Sequence, residues 1–287
     1  MTTGRVCGPM LAPRVTVLVR ASGVVQLGWD PEGALLLDRT PLDTDTVLAF
    51  LRLLDGMQSR PQVIWRAGEC GIEPEAAAEL LTRIDDAGLL LHPDERMGRV
   101  RSVRVHGLGP LADAVSTGLR GLGPRPIRSR GYTPDGSVPG WRGELVVLTD
   151  TLVIDPRFTN ELVLHGIAHM QVRIRDGKGV IGPFVVPGRT SCLRCAHLTR
   201  CDYDAEWPHL AAQLLGRVGH ASPAAIAATA ALALYELETI LACSARRTPA
   251  TLNTTLELDL DSHLVEQRAW AVHAACGCHA ISTDANS

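Results

Sequence analysis

The chain has 287 residues, 46% hydrophobic and 21% charged, which excludes a disordered segment and is long enough for two domains with their own cores. Net charge is −3, so no global field draws it to nucleic acid or an anionic membrane. Lys178 is the only lysine among 28 basic residues, which removes most candidates for lysine-dependent chemistry.

Residues 1–12 read as a loose leader. The apolar, β-branched runs 15–19 and 24–27 are expected strands with Ser22-Gly23 as the turn, and 34–37 is a third strand after Asp30-Pro31-Glu32-Gly33. Pro41 and Asp43 open a helix that carries Val47, Phe50, Leu51 and Leu54 at helical spacing and closes at Gly56. Residues 61–67 form a second short helix or an extended piece. Glu73-Pro74 starts a third helix with Ala77, Leu80, Leu81 and Ile84 on one face and Gly88 at its end. Residues 89–91 are a last strand. Three small strands with three helices predict a winged-helix-like α+β domain over 13–92, followed by a linker over 93–101.

A second domain starts with an apolar strand at 102–106. Gly107-Leu-Gly109-Pro-Leu-Ala112 follows, then a helix through Val115, Leu119 and Leu122. This G-x-G-x-x-A lies where a dinucleotide-type phosphate loop belongs, between a strand and a helix. A strand–helix turn that needs glycine and binds nothing reads equally well. Strands are expected at 126–129, 144–148, 168–174 and 180–186, with a helix at 157–164 and Thr149-Asp150 closing the third of the five strands. That alternation implies a mostly parallel sheet. Helices at 207–215 and 223–243 come next, then an antiparallel pair, 252–260 and 264–270, turning at Asp261-Ser262. A disordered tail is expected at 280–287.

Eight cysteines do not make a disulfide framework in a chain of this length. Cys7, Cys70, Cys201 and Cys243 are dispersed, Cys243 on a core face. Cys192-x-x-Cys195 and Cys276-x-Cys278 have ligand spacing, and their four thiolates are the number a closed tetrahedral zinc site needs. The alternatives are two unrelated buried pairs, or Cys201, His197 or His279 in place of one ligand. No basic-then-apolar leader segment is visible, and the alanine-rich run 224–233 is too short to span a bilayer, so a cytoplasmic protein with reduced thiols is expected. Asp202 and Asp204 read as caps for the helix at Trp207. The remaining histidines form no metal pair with a carboxylate.

The glycine loop, Thr149-Asp150 and the two cysteine pairs resemble the E1-like (ThiF-type) activating enzymes over residues 102–279. Within that group GVIGPFVVPGRTSCLRC, with Arg200, Asp202, Asp204 and Trp207-Pro208 after it, resembles the cyclodehydratase partner proteins of thiazole/oxazole-modified (TOMM, bacteriocin-type) peptide biosynthesis. The resemblance implies a Rossmann-like E1/ThiF-type domain with a structural zinc and a possible homodimer through that domain. It also implies an N-terminal clamp, the RiPP recognition element, that presents a precursor leader peptide to a YcaO-type enzyme. Gly107, Gly109, Ala112 and Asp150 would then be a nucleotide site. An ATP-using E1, however, carries an acid where this chain reads Ile127-Arg128-Ser129-Arg130, and an Asn-x-x-Arg-Gln-like stretch with a lysine where 131–143 has neither. Asp150 matches the magnesium-side aspartate, while Val147 stands where a second acid is common. Phosphoryl chemistry depends on cations around the phosphates, so the expectation is a vestigial site without ATP turnover and no catalytic residue.

A three-stranded sheet leaves an edge to which an extended peptide can add. The expected edge is Ala34, Leu35, Leu36 and Leu37, with the third helix (Leu80, Arg83 and Ile84) as the other wall. Two further readings are an active adenylyltransferase for a peptide or sulfur-carrier C-terminus, and a winged-helix DNA-binding regulator. Against the latter, the third helix carries Glu73, Glu75, Glu79, Asp85 and Asp86 against a lone Arg83, a face that repels phosphate.

Overall fold

A computed structural model describes residues 8–38, 42–91, 100, 102–134, 138–242 and 248–278. The chain folds as two compact units, Met1–Arg96 with Ala242–Arg246, and Met97–Leu241 with Arg247–Ser287. Pro41, Cys7, Cys243, His279, the tail 280–287 and the linker 93–101, except Val100, lie outside the described residues.

In the small unit β1 (Met10–Leu11) pairs antiparallel with β5 (Leu90–Leu91), so the second half of the expected leader is part of the fold. β2 (Val17–Val19), β3 (Val25–Leu27) and β4 (Leu35–Leu37) form a separate antiparallel sheet in that order, with β4 at an edge. α1 (Thr44–Arg52) starts where Asp43 Oδ1 accepts from Thr46 N at 2.8 Å. This is an N-cap of the kind that contributes about 1 kcal/mol. The stretch 61–67 is helical, inside α2 (Arg60–Glu69), opened by a Ser59/Gln62 capping box. α3 (Pro74–Asp86) begins at a proline whose missing N–H would have no helical partner there, and stops at Gly88, whose φ of +68° a side chain would resist. Phe50, Val63, Leu80, Leu81 and Ile84 close over Val25, Leu27 and Leu37 as one core.

The large unit is a mixed α/β fold around a seven-stranded sheet. Its elements are β6 (Ser102–His106), α4 (Pro110–Gly121), β7 (Ile127–Ser129), β8 (Glu144–Thr149), α5 (Pro156–Leu164), β9 (His169–Arg175) and β10 (Lys178–Val185). They continue with α6 (Leu193–Tyr203), α7 (Trp207–Leu214), α8 (Pro223–Ala242), β11 (Thr254–Asp259) and β12 (Leu264–Ala269). The strand order is β12-β11-β10-β9-β8-β6-β7.

Only the β7-β6-β8-β9 part is parallel; β9 to β12 pair antiparallel. This corrects the expected mostly parallel sheet. The cause is local. Asp176-Gly177 sits between Arg175 and Lys178 with both φ angles positive, the two-residue turn that folds a strand straight back. α8 is long and apolar enough to cross a membrane by length and composition. Here its apolar residues are core: Ala230, Ala233, Leu237 and Ile240 lie against Val172, Ile174, Ile181 and Leu256. A Cβ on Gly179 would collide with Thr229 of this helix, so the helix–sheet approach requires glycine there.

Candidate functional site

The stretch before α6 is pinned from a distance: Asn253 Oδ1 accepts from Ser191 N at 2.7 Å. Cys192 is then the N-cap of α6 and Cys195 lies in its first turn, so both sulfurs face the positive end of the helix. The C-terminal segment arrives after Trp270, whose Nε1 donates to Thr255 Oγ1 at 2.7 Å. His273 Nδ1 accepts from Ala275 N, which leaves its Nε2–H to donate to Asp202 Oδ2 at 2.8 Å. Asp202 therefore ties α6 to the approach to Cys276. Asp204 alone of the expected capping pair acts before α7, accepting from Glu206 N at 2.9 Å.

The result is a buried cluster of Cys192, Cys195, Cys276 and Cys278, with all four sulfurs within 4.8 Å of one another. Cys192 Sγ lies 3.8 Å from Cys195 and 3.4 Å from Cys276, and Cys195 Sγ lies 3.5 Å from Cys278. A tetrahedron of sulfurs each about 2.3 Å from zinc has edges of about 3.8 Å, so the donor set fits that ion with little adjustment. The thiols cannot all ionise unaided. The Cys192 thiol holds Cys195 down, the bond to Cys195 pushes Cys192 up, and burial first pushes Cys278 up. A divalent cation would remove that conflict. Among the described residues Cys201 and His197 stay outside the cluster; Cys201 is half-buried, 3.6 Å from His197 Nε2.

The glycine loop is closed from within. Asp150 is buried at a φ of +67°, and its carboxylate accepts from Gly109 N at 2.9 Å and from Leu111 N at 3.2 Å. It thus occupies the start of α4, where a phosphate would sit. A Cβ at Gly109 would collide with that carboxylate and one at Gly107 with Thr149 Oγ1; Ala112 is core. Arg128, on β7, is engaged by Asp113 at 2.8 Å, by Ser116 Oγ at 3.1 Å and by Gly107 O at 3.3 Å. His106 is held near 4 by burial, with Arg104 adding to it, and so is neutral. A cavity of about 450 Å³ beside the loop has Arg130 as its one lining arginine.

In the small unit the expected peptide-contact residues separate. Leu80 and Ile84 are 1% and 0% exposed and Leu37 is 3% exposed, so they are spent in the core and cannot form pockets. Helical spacing marked the apolar face correctly, but that face belongs to the unit's own sheet. Ala34, Leu35, Leu36 and Arg83 keep part of their surface. Arg83 Nη2 donates to Leu36 O at 2.8 Å and lies 3.5 Å from Asp38, while its Nη1 is buried with no hydrogen-bond partner among the described residues. Asp85 is buried and 3.9 Å from Arg60, so it does not belong to the acidic outer face.

No protein-family model and no curated protein matches the chain. Solved structures do. A heterocyclase in complex with substrate and cofactor aligns with a TM-score of 0.60 at 17% identity, over 94% of this chain and 39% of that one. The heterocyclase TruD aligns at 0.58 and 15%, over 94% and 42%. Escherichia coli MccB with ATP aligns at 0.55 and 10%, over 94% and 99%. The chain spans about two-fifths of the heterocyclases it matches and nearly all of MccB. At these identities the likeness shows the fold alone, a mixed α/β fold shared with these heterocyclases and MccB.

Proposed function

We propose that this protein is a partner subunit in ribosomal-peptide modification that binds a precursor leader peptide. In this reading the small unit is a winged-helix-like clamp of the RiPP-recognition type. The peptide adds to the open edge at β4, with α3 as the other wall. The observation that carries the reading is the β4 edge of the three-stranded sheet, where Ala34, Leu35 and Leu36 keep part of their surface and Arg83 of α3 reaches across to the strand. The E1-like body is a scaffold clipped by structural zinc, and it presents the peptide to a YcaO-type enzyme in the cytoplasm. Asp150 supports a body without ATP turnover, because the chain's own carboxylate takes the backbone donors a nucleotide would need. Heterocyclase and MccB folds fit a role in peptide modification.

The test is titration of the full chain with a synthetic leader peptide encoded beside its gene. Saturable amide shifts along 34–38 and 76–87 are expected. Arg83→Ala should weaken binding about tenfold, because the guanidinium no longer holds β4 against α3 through Leu36 O. A genuine leader that binds elsewhere, or nowhere, removes the clamp. The second reading, an active adenylyltransferase, draws on the match to ATP-bound MccB over 99% of that chain and on the cavity beside the loop. Robust ATP–pyrophosphate exchange with a peptide carboxylate would establish it instead.

A further inference from the structure

A cavity of about 830 Å³ lies in the large unit and adjoins the glycine loop's own hollow, with which it shares Val153, Ile154 and Leu215. Its floor is one face of the sheet, with Gln171, Arg173 and Arg175 of β9 and Thr255 of β11; α6 and α7 form the opposite side. Leu152, Ile154, Val163, Leu198 and Ala211 make much of the wall apolar. Size and lining suit a small molecule or a few residues of peptide.

The charge in this cavity is lopsided. Arg173 lies deep in the fold, yet part of its surface faces the cavity, and its partner is the neutral Gln171 side chain. Arg200 bonds the Ala196 carbonyl at 3.1 Å and lies 4.5 Å from the centre of the Trp270 ring. Arg268 approaches that ring from 4.7 Å. The acid facing this group is Glu257, and it is committed to Arg175 at 2.6 Å; Asp176 also lines the cavity, but is exposed. Burial first, then repulsion from Arg200 and Arg175, pulls Arg173 down to about 9. Burial and the charges of Arg268 and Arg175 pull Arg200 down to about 10. A buried guanidinium without a carboxylate is costly, and proteins ordinarily pair it.

We propose that this cavity is a binding site for a ligand bearing a carboxylate on an apolar body, with Arg173 and Arg200 as its anion contacts. The carboxylate supplies the missing counter-charge and the walls cover the body. The source is either an acidic side chain of a peptide or a free small acid. The site is distinct from the β4 edge and stands whether or not a leader peptide binds there.

The test uses the full chain and calorimetric titration with four probes: N-acetyl-Leu-Glu-methylamide, its Leu-Gln isostere, glutarate and inorganic phosphate. The Glu probe should bind at least tenfold more tightly than the Gln probe. Glutarate binding as well as the dipeptide would identify a free acid as sufficient, and dipeptide binding alone would identify a peptide segment. Arg173→Met and Arg200→Met should each weaken Glu-probe binding at least tenfold, against less than threefold for Arg194→Met, an exposed lining arginine. Arg173→Met should keep its zinc and melt no lower than the wild type, because it removes an unneutralised buried charge. Equal binding of the Glu and Gln probes, no saturable binding, or tighter binding of inorganic phosphate would overturn the proposal. So would an Arg173→Met protein that loses zinc or stability, since the guanidinium would then be structural.

Discussion

Two helices of the large unit begin at loops that carry their chemistry, and they are completed in opposite ways. At α4 the donors of Gly109 and Leu111 are met by Asp150 of the same chain, and the joint is closed without any ligand. At α6 the helix start presents Cys192 and Cys195, and the far end of the chain adds Cys276 and Cys278, so the joint holds four acids that repel once ionised. A helix N-terminus attracts negative charge in both places. The distant partner decides the rest: a lone carboxylate ends the matter, whereas four thiols call for a cation. One helix start has become a fixed internal pin and the other a four-thiol cluster with the spacing of a metal site.

The largest expected effect breaks the clip. Purified protein should carry about one zinc per chain, and Cys192→Ser or Cys278→Ser should reduce it towards none and destabilise the large unit by roughly 5 kcal/mol or more. Metal analysis with thermal melting reads both; full zinc in the two variants would dissolve the contrast with α4.

The pin at α4 is tested next. Asp150→Ala should cost about 2 kcal/mol, because Gly109 N and Leu111 N lose their acceptor, without lowering zinc. Gly109→Ala should also destabilise, because its Cβ meets the Asp150 carboxylate. Combining the two should cost about 1 kcal/mol less than the sum, since the collision disappears with the carboxylate. Strict additivity in urea melts would show that the glycine serves something other than Asp150.

The sheet that carries both joints should itself be acid-sensitive. His169, on β9, is fully buried; its Nδ1–H donates to Ile167 O at 2.9 Å, and its Nε2 has no partner among the described residues. Burial holds it near 4 against an ordinary 6.5, so the folded state keeps it neutral. The unfolded chain binds the extra proton, so this stability is complete above pH 6.5. It drains as pH falls towards 4, by up to about 1.4 kcal/mol per pH unit. Urea midpoints at pH 7 and 5.5 should differ by less in His169→Gln than in the wild type; equal differences would discount the burial argument.

The smallest effect marks the border of the clip. Cys201→Ser should leave zinc content unchanged and stability within about 0.5 kcal/mol, as for a half-buried thiol outside the ligand set. A drop in zinc would bring Cys201 into the site.

What the sequence determined by itself was local. Apolar spacing and end signals located α1, α3, α4, α5, α7 and α8; the α2 stretch read equally as a helix or an extended piece, and the start of α6 only as a cysteine knuckle. Thiol spacing named both halves of the four-cysteine cluster, since two or three residues of chain set how close two sulfurs can come. The Asp-Gly at 176–177 is a hairpin signal that the expectation of a mostly parallel sheet passed over, and it folds β9 straight back into β10. Tertiary structure decided what each side chain finally meets. It brought Cys276 to Cys192 across 84 residues and spent Asp150 on Gly109 across 41. It buried Leu80 and Ile84 beneath their own sheet, and it brought Arg173 and Arg200 to one cavity while Glu257 is taken by Arg175. Spacing along a chain encodes dihedral preference and the direction of a side chain. Whether that side chain is covered, and whether its charge is answered, depends on residues that only the completed fold brings within reach.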